Sequence, residues 1–236
     1  MKKLIQNIVN KFGYSIIKNK NFYKIQRTLD AAIKNQIKNE NPIIFDVGAH
    51  EGESIQRFKK LFKSPEIHSF EPQSKPFEIL EKLKNNNIIV NNYALGATEE
   101  IKELNINSND ATSSFLSLDE SSRHIKNIKT VEKQKKIIKT LDNYVLEKKI
   151  NHIDLLKIDV QGYEPEVLQG SLHTLSRKIH LVEVEICFVE YYKNKSSFFN
   201  IESIINKYNF ELYSLSSPFA KGDGKIKTLD ALYIKN

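Results

Sequence analysis

The chain of 236 residues is 40% hydrophobic and 28% charged, enough apolar matter for one domain with a buried core and a small appendage. Its formal net charge is +7, yet the lysines are scattered among asparagine and isoleucine, which reads as a compositional bias and not as a nucleic-acid face. A single cysteine, Cys187, excludes an internal disulfide and fits a reducing, cytoplasmic setting, and no run reaches the ~20 apolar residues of a membrane span.

Residues 1–40 stand apart. No acidic residue precedes Asp30, and Leu4, Ile5, Ile8, Val9 and Phe12 recur at helical spacing. This basic amphipathic segment either packs on the main domain or makes a weak membrane-surface or partner contact. It lacks the uninterrupted apolar core and small-residue cleavage site of a signal peptide. A second helix is predicted over 24–38, stopped by Asn41-Pro42, and residues 41–236 form the main domain.

Ile43, Ile44, Phe45 and Val47 then form a short run, apolar on both faces and ending at Gly48, as a central parallel strand does. Further strands are predicted over 67–70, 88–95, 154–160, 179–186, 210–216 and 228–236, with helices over 53–63, 74–85, 164–176 and 199–208. The alternation predicts an α/β fold with a doubly wound, mostly parallel seven-stranded sheet. No helix fits between the last two strands, so they pair antiparallel at one edge. Residues 100–140 interrupt the rhythm with a possible extra strand, IKELNI, a polar loop, NSNDATSSF, and a charged stretch, KNIKTVEKQKK. Such an insertion is either a lid or a surface excursion.

In an open α/β sheet, ligands bind beyond the carboxyl ends of the strands. The first strand ends in Asp46-Val47-Gly48-Ala49-His50-Glu51-Gly52, a turn whose glycines let the backbone approach a ligand. Glu71 closes the next strand, where a carboxylate can accept both hydroxyls of a ribose. A dinucleotide would need its pyrophosphate on that first turn, but Asp46 and Glu51 repel phosphate. S-adenosylmethionine has no phosphate and carries an ammonium group that suits a carboxylate, so the charges favour it over NAD.

IFDVGAHEGES, SFEP, NNYALG, TLDNYV and LLKIDVQGYEPEVLQG, in this order from about residue 40 onward, resemble FkbM-family methyltransferases. The resemblance implies a class I methyltransferase (Rossmann-like) fold and methylation of a hydroxyl on a sugar or other small metabolite, such as a glycan precursor. It implies that Asp46, Gly48, Ala49 and Gly52 line the methionine part of the cofactor, that Glu71 holds the ribose, and that Asn92 lies near the adenine. Asp159 would face the methyl donor or acceptor. Gln161 departs from the pattern, because many relatives carry Glu there; either this chain does without a carboxylate that helps catalysis in them, or the position orients a loop, where Gln can serve.

A hydroxyl acceptor must lose its proton, and Asp159, Glu164 and Glu185 are the candidate bases. Asp159 and Glu164 flank the turn QGY, and Glu183 and Glu185 share one face of an otherwise apolar strand, where charge is costly unless used or paired. Glu164 reads equally as a carboxylate at a helix N-terminus, with Pro165 next. Clustered carboxylates can bind Mg²⁺, but no C-x-x-C pair or H-E-x-x-H spacing marks a metal site. The aromatics Phe188, Tyr191 and Tyr192 either stack on a sugar or pack in the core. A nucleic-acid methyltransferase, a non-catalytic scaffold and an oxidoreductase are the alternatives. DVQGYEP matches a base-methylating Asn/Asp-Pro-Pro-Tyr/Phe motif poorly, so no nucleic-acid partner is expected.

Overall fold

A computed structural model describes residues 28–194, 197–220 and 224–236. The helix expected over residues 4–12 lies outside them. The first described helix, α1 (Thr28–Gln36), leads into β1 (Ile43–Val47), α2 (Glu53–Leu61), β2 (Glu66–Phe70), α3 (Ser74–Glu81) and β3 (Ile88–Asn91). β4 (Ala94–Leu95), β5 (Glu100–Asn107) and β6 (Thr130–Lys139) follow, and then α4 (Leu141–Glu147), β7 (Ile153–Ile158), α5 (Glu164–Gln169), α6 (Leu172–Arg177) and β8 (Ile179–Cys187). The chain finishes with α7 (Phe198–Ile205), β9 (Phe210–Leu215), β10 (Phe219–Ala220) and β11 (Ile226–Lys235).

The main sheet has eight strands in the order β10-β11-β8-β7-β1-β2-β3, with β9 also paired to β11. β3, β2, β1, β7 and β8 run parallel. β11 is antiparallel to β8 on one side and to β9 and β10 on the other, so the expected antiparallel pair is β9 with β11. The eighth strand is the two-residue β10.

Alternate residues of each central strand feed two cores. Phe45, Leu156, Val182 and Tyr233 face one, beneath α4, α5 and α7, whereas Ile44, Leu155, Leu181 and Leu232 face the other, beneath α1, α2 and α3. Burial on both faces is why these strands read as continuous apolar runs. Leu29 and Ile33 place α1 in the second core.

Three elements differ from the sequence-based expectation. The predicted strand 88–95 divides between β3 in the main sheet and β4, which joins β6 and β5 in a separate three-stranded sheet. The predicted helix 164–176 breaks into α5 and α6 at Gly170, where a Cβ would sit 1.9 Å from the Gly96 carbonyl oxygen. The charged stretch beginning near residue 126 becomes β6, an antiparallel partner of β5, with Lys133 and Lys135 exposed and Lys136 half-buried. Among the described residues, no helix is long and apolar enough to cross a membrane.

From β1 the winding proceeds outward through β2 to β3, and from β7 it proceeds the other way through β8. The switch point between β1 and β7 opens a crevice at their carboxyl ends, where ligands of such sheets bind.

Candidate active site

The turn after β1 is built on backbone that most side chains cannot adopt. Gly48 has φ +84° and Gly52 φ +94°. A Cβ at Gly48 would lie 1.8 Å from the Asp159 carbonyl oxygen, so glycine is what lets the β1 turn lie against the end of β7. The Gly48 and Ala49 N–H groups both donate to the Phe70 carbonyl, at 3.0 and 3.1 Å, which ties this turn to the end of β2.

Glu71 follows β2 directly and is buried. Its carboxylate accepts the His50 N–H at 2.9 Å and the Gln73 N–H at 2.7 Å. Burial pushes its pKa up, against the pull of those two donors. Each oxygen keeps a lone pair for a further donor. The Asn92 side-chain amide donates to the Glu71 carbonyl at 3.0 Å, so Asn92 braces the backbone that carries the carboxylate.

A belt of charge crosses the sheet behind the turn. Asp46 on β1 is opposite Lys157 on β7, which is opposite Glu183 on β8, and Glu185 is opposite Asp230 on β11. The buried Lys157 ammonium lies 3.4 Å from Asp46 and 3.6 Å from Asp159. Burial opposes its charge, but Asp46, Asp159, Glu183 and Asp230 outweigh that and hold the ammonium above its ordinary value. Among the described residues, neither oxygen of the fully buried Asp46 carboxylate has a hydrogen-bond partner. Arg57 neutralises Glu183 at 2.6 Å and Asp30 at 2.6 Å.

Among the described residues Glu185 makes no ion pair at contact distance, and Lys157 offsets only part of the pressure on it. Burial, followed by the charges of Asp159, Glu164 and Asp230, pushes its carboxyl up to about 9. Glu164 turns inward, and one of its oxygens accepts the N–H groups of Val160 at 3.1 Å and Gly162 at 3.0 Å. It holds the tight turn 160–162, and its burial raises its pKa to about 7.

These elements enclose a cavity of about 270 Å³. Gly48, Ala49 and His50 form its floor at one end, Glu71 and Gln73 line one side, and Lys157, Asp159, Gln161 and Tyr163 line the other. The insertion supplies the roof through Ala111, Ser113, Ser114 and Phe115. Ligand atoms of His50, which lines the cavity, and of Glu51 and Asp110 lie within 4.8 Å of one another, a set that could hold a cation.

The structure therefore brings Gly48, Ala49, Glu71 and Asp159 into one cavity wall. Asp46, Gly52, Asn92, Glu164 and Glu185 stand outside that lining. Lys157, Gln161 and the 111–115 segment were not singled out as site residues from the sequence. The rule that flagged Glu185, a charge inside an apolar strand, applies equally to Lys157 and would have found it.

Residues 46–212 match a family model described as the methyltransferase FkbM domain. No curated protein matches the chain in sequence. Among solved structures the fold is similar to that of methyltransferase FkbM from Methylobacillus flagellatus KT, with TM-score 0.55 and 12% identity over 91% of this chain. This chain spans 50% of that protein's length. It is also similar to the Methanococcus jannaschii fibrillarin pre-rRNA processing protein, with TM-score 0.50 and 11% identity, covering 89% of this chain and 75% of that one. At these identities the likeness is one of fold.

Proposed function

The chain belongs to the FkbM family of methyltransferases, and on that premise we propose that it methylates a hydroxyl of a sugar, a surface-glycan precursor or another small metabolite, using S-adenosylmethionine. The observation that carries this reading is the single cavity running from Glu71 to Asp159 over the Gly48 turn. Its donor set fits the cofactor. Glu71 is the acceptor for ribose hydroxyls, and Gly48 and Ala49 shape the end for the methionine part, with Asp46 and Gly52 behind them and Asn92 bracing the backbone of Glu71. S-adenosylmethionine supplies an electrophilic methyl group and a positive charge, and an acidic belt with few counter-ions suits that charge.

The protein's own part is to orient the acceptor and take its proton. With its carboxyl pushed up to about 9, Glu185 carries its proton near neutral pH and is a poor base there. Glu164 is committed to the turn. Asp159, which lines the cavity, is the group we assign as base: its carboxylate would take the acceptor's O–H proton, while bound S-adenosylmethionine would supply the methyl group, whose bond to sulfur is exchanged for one to the acceptor oxygen with S-adenosylhomocysteine as the leaving group. Lys157, 3.4 Å from Asp46 and 3.6 Å from Asp159, holds the two carboxyl groups in place.

A second reading, an RNA acceptor, draws on the basic β6, where Lys133 and Lys135 are exposed. Against it, the segment after β7, DVQGYEP, matches a base-methylating Asn/Asp-Pro-Pro-Tyr/Phe motif poorly. The test has two stages. Thermal stabilisation is measured with S-adenosylmethionine, S-adenosylhomocysteine and NAD; at about 100 times its Kd a ligand adds roughly 2.7 kcal/mol. Stabilisation by the adenosyl compounds, lost in Glu71→Ala, supports the cofactor site, and stabilisation by NAD alone overturns it. Radiolabelled methyl transfer to nucleotide sugars and to tRNA then separates the two acceptors.

A further inference from the structure

The roof of the cavity and its carboxylates meet at one side chain. Gln161 sits in the left-handed region at φ +58°, a conformation that costs a non-glycine residue energy and persists where the surroundings enforce it. Its Nε2 donates to Asp159 Oδ1 at 2.9 Å and to Glu185 Oε2 at 3.3 Å. Its Oε1 accepts from the Tyr192 hydroxyl at 3.1 Å. Its backbone carbonyl accepts from Ser114 Oγ at 2.8 Å. Tyr192 in turn reaches the Thr112 carbonyl at 2.7 Å and is buried with Leu118 and Ile125, so its phenol is anchored in the roof.

From this geometry, and on the reading that the cavity is the transfer site, we infer that Gln161 is a positioning residue coupling the 108–129 roof to the Asp159–Glu185 pair. The chemistry selects an amide. A neutral group that donates twice from nitrogen and accepts once at oxygen can hold two carboxylates side by side and still receive the phenol. An ionised glutamate there donates nothing and sets a second negative charge beside Asp159. Tyr192 has one proton for two acceptors, Thr112 and Gln161, so the position of the roof decides whether the amide oxygen is satisfied. The other groups that bear on the pair are Lys157 from β7, Glu164 from α5 and Asp230 from β11.

The test is amide hydrogen exchange of residues 108–118 in the full chain, with and without S-adenosylhomocysteine, from pH 5 to pH 9 after correction for intrinsic rates. Tyr192→Phe, which removes one hydroxyl, is expected to exchange roughly fivefold to tenfold faster in this segment, the loss of one neutral hydrogen bond. Gln161→Ala is expected to be as fast at every pH. Gln161→Glu is expected to match Gln161→Ala at high pH and to recover protection at low pH, where its protonated carboxyl donates again. That recovery is what a merely space-filling role would not give. Wild-type rates in Tyr192→Phe, or Gln161→Glu and Gln161→Ala alike at all pH values, would overturn the coupling. If S-adenosylhomocysteine does not bind the wild type, the methyltransferase reading falls, while the ligand-free exchange rates still decide the coupling.

Discussion

At Gly48 a single missing carbon positions two strand ends. Alanine there must adopt φ +84° and press its Cβ to 1.8 Å from the Asp159 carbonyl, backbone that cannot swing aside. The strain alone costs on the order of 1–3 kcal/mol. We expect Gly48→Ala to lower the guanidinium midpoint and weaken S-adenosylhomocysteine binding at least tenfold, because relieving the clash moves Asp159 as well. Wild-type affinity by calorimetry would place the cofactor elsewhere. Gly48 was legible in the sequence because its signal is local: an apolar strand, a glycine and a polar turn. Glu71 was legible for the same reason. Gln161 was visible only as a departure from its relatives, since its partners Glu185 and Tyr192 are 24 and 31 residues away. Lys157 acquires its meaning from strand register, which places it opposite Asp46 across 111 residues of chain.

Register and cross-element contacts also explain what could not be read about the elements themselves. The central strands declare themselves, because burial on two faces leaves an unbroken apolar run. The 164–176 segment keeps a helical period throughout, and its break at Gly170 is set by the approach of Gly96, far away in sequence. α4 is seven residues long, too short for its period to stand out, yet it holds α6 in place. Ser171, at the start of α6, spends its hydroxyl on the Val167 carbonyl at 2.6 Å. Asp142 of α4 caps instead, accepting the His173 N–H at 2.9 Å, the Thr174 N–H at 2.8 Å and the Thr174 hydroxyl at 2.5 Å. A carboxylate at a helix N-terminus also meets the favourable end of the dipole. We expect Asp142→Ala to cost about 2–3 kcal/mol, more than an ordinary cap, because three donors lose one acceptor. Asp142→Asn should recover part of it. A urea midpoint that shifts at constant slope would check both, and an unshifted midpoint would mean that solvent replaces the cap at no cost.

Across the whole molecule the same acidic belt that suits a cationic cofactor makes the fold's stability depend on pH. Burial pushes the carboxyls of Glu185, Glu164 and Asp230 up to about 9, 7 and 6. In the unfolded chain they return to ordinary carboxylate values near 4. Between those limits the native state keeps protons that the unfolded state has released, so the native state binds more of them and stability falls as pH rises. The contribution is fully present below the unfolded value and is lost progressively as pH climbs through about 6, 7 and 9. Each unit of separation is worth about 1.4 kcal/mol, an upper bound because water reaches a strained charge. Glu185, with the widest separation and with Asp159, Glu164 and Asp230 all pressing on it, should dominate. Glutamine at 185 mimics the protonated carboxyl, so Glu185→Gln is expected to melt several degrees above wild type at pH 8 and to converge with it near pH 4.5. The wild-type Tm should decline between pH 5 and pH 9, and the variant's should decline less. Parallel curves for the two proteins would mean that Glu185 ionises at an ordinary pH, and the assignment of Asp159 alone as the base would have to be reopened.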